Sequence, residues 1–387
     1  MMLSKKLLAS LCALLIVLVA VQVNGDDRHG KSCARKAKSA WLDLVIVIEL
    51  TPATLEQHSA LMGNLLSDLS QFNIAANGDH TTRVALVTYN TTATVAHAFT
   101  DTQNLAAIKS SFDAAVAASK GYTGQTASIA AGLKKAYDVI TQSGSNRIPG
   151  VVLFAATYDN KGTDNPIEAA LTIKGDMINL ATVTFEAANG VVSPDIAKLA
   201  SDGLALDSAK QNPGDFAYAV ATLNCVCSPG WTRLIINSSS ERFYSDCFFA
   251  QDTQVLPAFI NCGTGAGLVT VNTPERLEFI TDTVIPDGMQ NPKFFSIGLT
   301  RTDASASWQW FTTDNTNLQW TTFPLFSSSP LPTDVVGYMH NDYGFHWELK
   351  SDDSYTNSRP YICQKAACDT NNICDRQGNF RAAKPKL

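Results

Sequence analysis

The chain has 387 residues, 45% of them hydrophobic and 17% charged, with a formal net charge of −6. A mildly acidic sequence without a basic cluster carries no electrostatic footprint for nucleic acid or anionic lipid. Its length suggests two domains.

The N-terminus reads as a secretory signal peptide over residues 1–25. Lys5 and Lys6 form a basic start, Leu7 to Val23 is almost wholly apolar, and Val23-Asn-Gly25 offers the small residues of a cleavage site. A retained anchor is the alternative, because the apolar run is nearly long enough to span a bilayer. Cleavage near Gly25–Asp26 is favoured by the small residue and the polar sequence that follows at once. The expected product is secreted and extracellular, with no membrane span. Residues 26–40 read as a linker, and residues 367–387 as a polar C-terminal tail.

Nine cysteines are present, and Cys12 falls in the leader. The remaining eight are an even number in a secreted chain, so disulfides are expected. None lies between Cys33 and Cys225, and seven lie from Cys225 onward. The first block is therefore a cysteine-free core, and the second a disulfide-supported domain holding every tryptophan except Trp41. Asn90-Thr-Thr92 and Asn237-Ser-Ser239 are glycosylation sequons, whereas Pro274 disqualifies Asn272.

In the first block, Leu44 to Ile48 is a continuous apolar run, as in a strand buried on both faces. Thr51 reads as a helix cap with Pro52 at the first helical position, followed by Leu55, Met62, Leu65, Leu66 and Leu69 at helical spacing. Residues 84–89 and 94–98 read as a hairpin turning at Asn90-Thr-Thr92. Helices are expected over 101–118 and 127–141, a buried strand over 151–155, a helix and strand over 165–175 and 178–185, and helices over 194–200 and 216–223. Alternating strands and helices imply a doubly wound parallel sheet covered on both faces. Ligands of such sheets bind beyond the carboxyl ends of the strands.

Leu42-Asp-Leu-Val-Ile-Val-Ile-Glu49-Leu-Thr51, Arg83-Val-Ala-Leu-Val-Thr-Tyr89 and Gly124-Gln-Thr126, in that order and spacing, resemble a von Willebrand factor A domain over residues 41–224. The resemblance implies a metal-ion-dependent adhesion site for Mg²⁺ or Ca²⁺. That site uses Asp-x-Ser-x-Ser after the first strand, a threonine in the second loop and an aspartate after the fourth strand. Glu49 stands where the aspartate should be, Thr51 keeps a hydroxyl, Ala53 has none, Thr126 matches, and Asp159 comes two residues late behind Thr157. Two readings follow: a weakened metal site at Glu49, Thr51, Thr126 and Asp159, or an inactive one whose hydroxyls serve the backbone.

Farther on, Cys227-Ser-Pro-Gly-Trp231, Phe295-Ser-Ile-Gly-Leu299, Trp308-Gln-Trp310, Trp320 and Pro360-Tyr-Ile-Cys363 resemble a C-type lectin-like domain over residues 225–366, an α+β, disulfide-stabilised fold. The resemblance pairs Cys262 with Cys363 and Cys227 with Cys247. Cys33 and Cys225 bracket the first domain, whose chain ends the A-type resemblance brings together, so these two are expected to pair and Cys368 to pair locally with Cys374, although eight cysteines allow 105 pairings by sequence alone. The family's inner cysteine pair is absent. Its calcium and sugar ligands, Glu-Pro-Asn and Trp-Asn-Asp, align with Phe323-Pro-Leu325 and Trp347-Glu-Leu349, so Glu348 alone keeps a carboxylate. One carboxylate does not hold Ca²⁺ in a shell of roughly six to eight oxygens. The aromatic residues of this loop, Phe323, Phe326 and Trp347 among them, form either an exposed ligand patch or the core of a fold poor in regular structure. Phe323 and Phe326 are the pair expected to be exposed.

No Gly-x-Ser-x-Gly elbow, His-Glu-x-x-His pair or phosphate loop is present, so no enzyme is expected. The combination resembles the secreted C-type lectin-like proteins of nematodes. It implies a non-catalytic recognition protein without a cofactor, apart from weak Mg²⁺ or Ca²⁺ in the first domain. Its partner is an extracellular protein or glycan, and a role in innate defence follows by resemblance. The alternative is a matrix adhesion protein acting through the A-type domain.

Overall fold

The computed structural model describes residues 29–378, apart from 55–56, 125, 159–164, 187–192, 209–213, 238–242, 312–316 and 342–345. The expected signal peptide and Asp159 lie outside the described residues. The chain divides into two compact units: residues 33–233 with 366–387, and residues 1–32 with 234–365.

In the first unit, strands Leu42–Glu49 (β1), Arg83–Tyr89 (β2), Ala93–His97 (β3), Ile148–Ala155 (β4), Asn179–Thr184 (β5) and Ala205–Asp207 (β6) form one sheet in the order β3-β2-β1-β4-β5-β6. β1 runs parallel to β2 and β4, and only β3 is antiparallel. Every residue of β1 and β4 is buried, which is why both strands read as apolar runs without alternation. Asp43, one of two buried acidic residues of β1, is held by the Arg83 guanidinium at 2.6 and 2.8 Å.

Helices His58–Leu69 (α1), Leu105–Ser119 (α2), Ile129–Thr141 (α3), Pro166–Gly175 (α4) and Asp215–Thr222 (α5) belong to the same unit. The side chains of Asn104, Ser128 and Asn165 accept backbone N–H groups at the starts of α2, α3 and α4. α3 lies so close to the sheet that a Cβ at Gly132 would meet Val47 at 2.9 Å and Tyr89 at 3.0 Å. Thr51 does not cap α1, contrary to the sequence expectation. Residues 51–54 form a turn and α1 starts only at His58, because the Thr51 hydroxyl donates to Glu49 instead. β6 was not foreseen, since three residues are too short for any period to show.

Cys33–Cys225 and Cys368–Cys374 are disulfides of this unit. Residues 367–378 are packed rather than forming a free tail. Cys368 bridges Val226, Ile373 and Cys374 are buried, and the buried Asp369 carboxylate accepts the Ala34 N–H at 2.9 Å.

The second unit is built on the strands Thr232–Ile235 (β7), Phe243–Val255 (β8), Ala266–Leu268 (β9), Phe294–Thr300 (β10), Gln309–Phe311 (β11), Asn317–Gln319 (β12), Val336–Asn341 (β13), Trp347–Asp352 (β14) and Arg359–Ala366 (β15). They form a sheet with the path β12-β11-β10-β15-β8-β7, with β9, β13 and β14 attached at its side. Helix Pro274–Phe279 (α6) starts at Thr273, whose side chain accepts the Arg276 N–H. Cys262–Cys363 closes a span of 101 residues, and Cys227 and Cys247 are also disulfide-bonded.

Phe295, Ile297 and Leu299 point from β10 into a core that includes Phe248, Trp310, Met339, Leu349 and Ile362. Beside it, Arg276 is buried with each of its three guanidinium nitrogens hydrogen-bonded. It donates to Asp246 at 2.7 Å, to Gln364 at 2.9 Å and to the carbonyls of Thr270 and His29. Gln364 in turn donates to Asp246. A buried cation is tolerable only when its donors are met in this way.

Candidate functional site

The order of the first sheet changes direction at β1 and β4, so the connections leave their carboxyl ends on opposite sides and open a crevice there. Glu49 ends β1 in this crevice and Ala156-Thr157 follows β4. The Glu49 side chain is fully buried. Its Oε1 accepts the hydroxyls of Thr51 at 2.7 Å and Thr157 at 2.8 Å. Its Oε2 accepts the backbone N–H groups of Ala156 at 2.9 Å and Thr157 at 3.0 Å. A carboxylate offers about four lone-pair positions, and here all four are filled by protein donors.

A second layer supports this arrangement. The Thr54 hydroxyl contacts the Glu49 and Thr51 carbonyls at 3.1 and 3.0 Å. His58 Nε2 lies 2.8 Å from the Thr54 hydroxyl and 3.2 Å from the Glu49 carbonyl. Burial lowers the His58 pKa, against the opposing effect of its bond to the Glu49 carbonyl. Its Nδ1 is buried without a partner among the described atoms, as suits a neutral ring protonated at Nε2. Burial, and then the Glu49 charge, push the Tyr89 phenol well above its ordinary pKa.

Thr126 is exposed and its carbonyl accepts the Tyr122 hydroxyl at 2.7 Å. Among the described residues no hydrogen bond joins it to Glu49, so Thr51 and Glu49 meet while Thr126 stands apart. Ala53 adds only a methyl. A hard divalent cation needs several oxygen lone pairs directed at one point. Among the described residues, the one carboxylate here has none left, and the two neutral hydroxyl oxygens of Thr51 and Thr157 are too few to make a shell of roughly six or more oxygens. This donor set does not fit Mg²⁺ or Ca²⁺. Thr54, His58 and the Ala156 amide were missed in the sequence; the spacing of four between Thr54 and His58 was the available signal.

In the second unit, the Phe323–Pro324 peptide is cis. Phe323 and Phe326 are half-buried rather than exposed, because both pack on the core with Trp320 and Trp347. Phe326 lies 5.1 Å from the Trp308 ring and 5.3 Å from the Trp320 ring. The Trp320 indole N–H donates to the Pro324 carbonyl at 3.0 Å. These contacts secure a loop that has no internal cysteine pair. The exposed residue of the motif is Leu325, at 70%. Trp347 packs edge-on against Phe295 at 5.0 Å. Glu348 is half-buried on β14 opposite His340. Asp352 accepts from Asn357 and Arg359, and Asp353 accepts from Tyr355 N–H and Thr356. Of the sequons, Asn90 is half-buried in the β2–β3 turn, and Asn237 is exposed.

Residues 43–221 match the family model of the von Willebrand factor type A domain, and residues 261–365 that of the lectin C-type domain. A curated relative is C-type lectin domain-containing protein 160 of Caenorhabditis elegans, 26% identical in an alignment of 251 residues that covers 59% of this chain and 38% of that protein. The chain thus spans well under half the length of that relative. Similar solved structures include proximal thread matrix protein 1 of the mussel byssus, at 18% identity and a TM-score of 0.38 over 48% of this chain and 45% of that one. A form of that protein with a zinc-occupied adhesion motif has 17% identity and a TM-score of 0.40 over 49% and 47%. A von Willebrand factor type A protein from Catenulispora acidiphila has 9% identity and a TM-score of 0.38 over 84% and 58%. The chain carries a von Willebrand factor type A domain followed by a C-type lectin domain.

Proposed function

We propose that this protein is a secreted, non-catalytic recognition protein that engages an extracellular glycan-bearing or protein surface without a metal ion. The observation that carries this reading is the saturation of Glu49: the carboxylate at the adhesion-site position is spent on Thr51, Ala156 and Thr157. The lectin domain supports it with Phe323, Leu325 and Leu349 where its family places oxygen ligands, leaving Glu348 alone. A recognition surface made this way relies on apolar contact and shape. Phe323, Phe326 and Trp347 shape it from the core side, and Leu325 presents it to solvent. A role in innate defence rests on the resemblance to nematode lectin-like proteins.

The test is binding of the purified, glycosylated protein to intact bacteria and to immobilised glycans, in millimolar Ca²⁺ and in chelator. Equal binding in the two buffers, lost in Leu325→Asp, supports the proposal. Binding that chelator abolishes and Ca²⁺ restores overturns it.

A further inference from the structure

The sequon Asn237-Ser-Ser239 begins two residues after β7, and Asn237 is exposed. Asn237 also lines a cleft of about 280 Å³ in the lectin domain. The cleft lies between the end of β7 and α6, together with the π-helical turn Ile280–Val284 that continues α6. Its volume falls just below the roughly 300–1,000 Å³ of small-molecule sites, so it suits a single small ring.

Two kinds of surface meet there. Ile235, Ile236 and Phe279 are apolar, and Glu275, Glu278 and Asp282 are carboxylates. On a helix, residues three, four and seven apart share one face, which is how Glu275, Glu278, Phe279 and Asp282 come to line the same cleft. Glu278 and Asp282 are exposed and open to a ligand, while Glu275 lies 3.6 Å from His29 Nδ1. No cationic residue lines the cleft among the described residues. An anionic occupant would therefore be repelled. Carboxylates accept hydrogen bonds and donate none, so the fitting occupant carries several O–H or N–H donors beside an apolar face. A metal ion does not fit, because among the described residues no group of three or more acidic, histidine or cysteine side chains is arranged to hold one.

We propose that Asn237 carries an N-linked glycan whose first N-acetylglucosamine is seated in this cleft. The bond forms between Asn237 Nδ2 and the anomeric carbon of a lipid-diphosphate-linked oligosaccharide. The bond from that carbon to the diphosphate oxygen breaks, the lipid diphosphate leaves, and one amide proton passes to solvent. In the cleft, the sugar's hydroxyl and acetamido N–H groups donate to Glu278 and Asp282, and its acetyl methyl packs on Phe279. The covalent tether keeps the sugar at an effective concentration of about millimolar, so a few weak contacts suffice to seat it. The seated sugar joins the exit of β7 to α6 and closes the cleft to other ligands. The proposal does not depend on metal-free recognition at the Phe323–Leu325 loop.

The experiment uses the full chain secreted from cells that make high-mannose glycans. Enzymatic release of the glycans in heavy-oxygen water should convert Asn237 to labelled aspartate, read by peptide mass spectrometry. A second sample, with isotope-labelled acetyl groups, is trimmed by endoglycosidase H to one N-acetylglucosamine per occupied site. The acetyl methyl signal that disappears in Ser239→Ala should lie upfield of the free sugar through the Phe279 ring current, and Phe279→Leu should return it to the free position. In urea unfolding, Ser239→Ala should lower the folding equilibrium constant about three- to tenfold, the effect of one hydrogen bond. Glu278→Ala with Asp282→Ala, both at exposed positions, should abolish that difference. An unoccupied Asn237 overturns the proposal. So does an occupied site whose methyl signal stays at the free position in the wild type, because the sugar then lies in solvent, and so does a stability difference that the double substitution leaves intact.

Discussion

Replacing Glu49 with alanine tests directly whether its carboxylate is a structural latch. Two of its four donors, the Ala156 and Thr157 amides, are fixed by the backbone and cannot turn to other acceptors. Stranding each costs about 1–3 kcal/mol, so Glu49→Ala should cost roughly 2–6 kcal/mol before any cavity is counted. The Thr51 and Thr157 hydroxyls can rotate, and add less. Glu49→Gln should be milder. Its oxygen can face the two amides and its NH₂ the two hydroxyls, which then accept, so only the charge assistance is lost, about 1–2 kcal/mol in all. Against a typical domain stability of about 5–15 kcal/mol, the two variants are distinguishable. Urea unfolding gives the totals, and hydrogen exchange at the Ala156 and Thr157 amides localises them. An alanine variant that loses under about 1 kcal/mol, with those amides exchanging no faster, refutes the latch.

The other predictions follow from the same contacts. The triple substitution Glu49→Asp, Ala53→Ser and Thr157→Asp restores the adhesion-site pattern and should create Mg²⁺ binding by calorimetry that the wild type lacks. Burial lowers the folded-state pKa of His58 below its ordinary 6.5, so the unfolded chain binds more protons in the interval between the two values. Its contribution is therefore complete above 6.5 and declines as pH falls through that interval, and unfolding measured from pH 7.5 to 5.5 should show a shallower decline in His58→Gln. Arg276→Ala should destabilise the lectin domain by about 3–5 kcal/mol, read by denaturation, because it removes the only cation bonded to the buried Asp246 carboxylate among the described contacts and leaves it the Gln364 amide. Opening the Cys262–Cys363 bridge in the double serine variant should cost about 4–5 kcal/mol in the chain-entropy model, read the same way.

The parallel sheet was legible because β1 and β4 are buried along their whole length and carry unbroken apolar runs. α2, α3 and α4 were legible because polar caps precede each. α1 was misjudged at its start: a hydroxyl beside proline satisfies the cap pattern, but the competing acceptor, Glu49, is visible only once β1 ends beside Thr51. The identity of Glu49 showed that a ligand had changed. It did not show that the added methylene lets the carboxylate meet donors after β4, a contact across 107 positions. In the lectin domain, aromatic content marked the loop, but composition does not say which rings face inward. Phe323 and Phe326 stand among serines and prolines and still pack on Trp308, Trp320 and the core, while Leu325 between them is displayed.

The central claim is that recognition here does without metal, and calorimetric titration of the chelator-stripped protein with Ca²⁺, Mg²⁺ and Zn²⁺ tests it most directly. No saturable heat up to millimolar metal is the expected result. Saturable binding that disappears in Glu49→Ala would contradict it and place a working metal site at the end of β1.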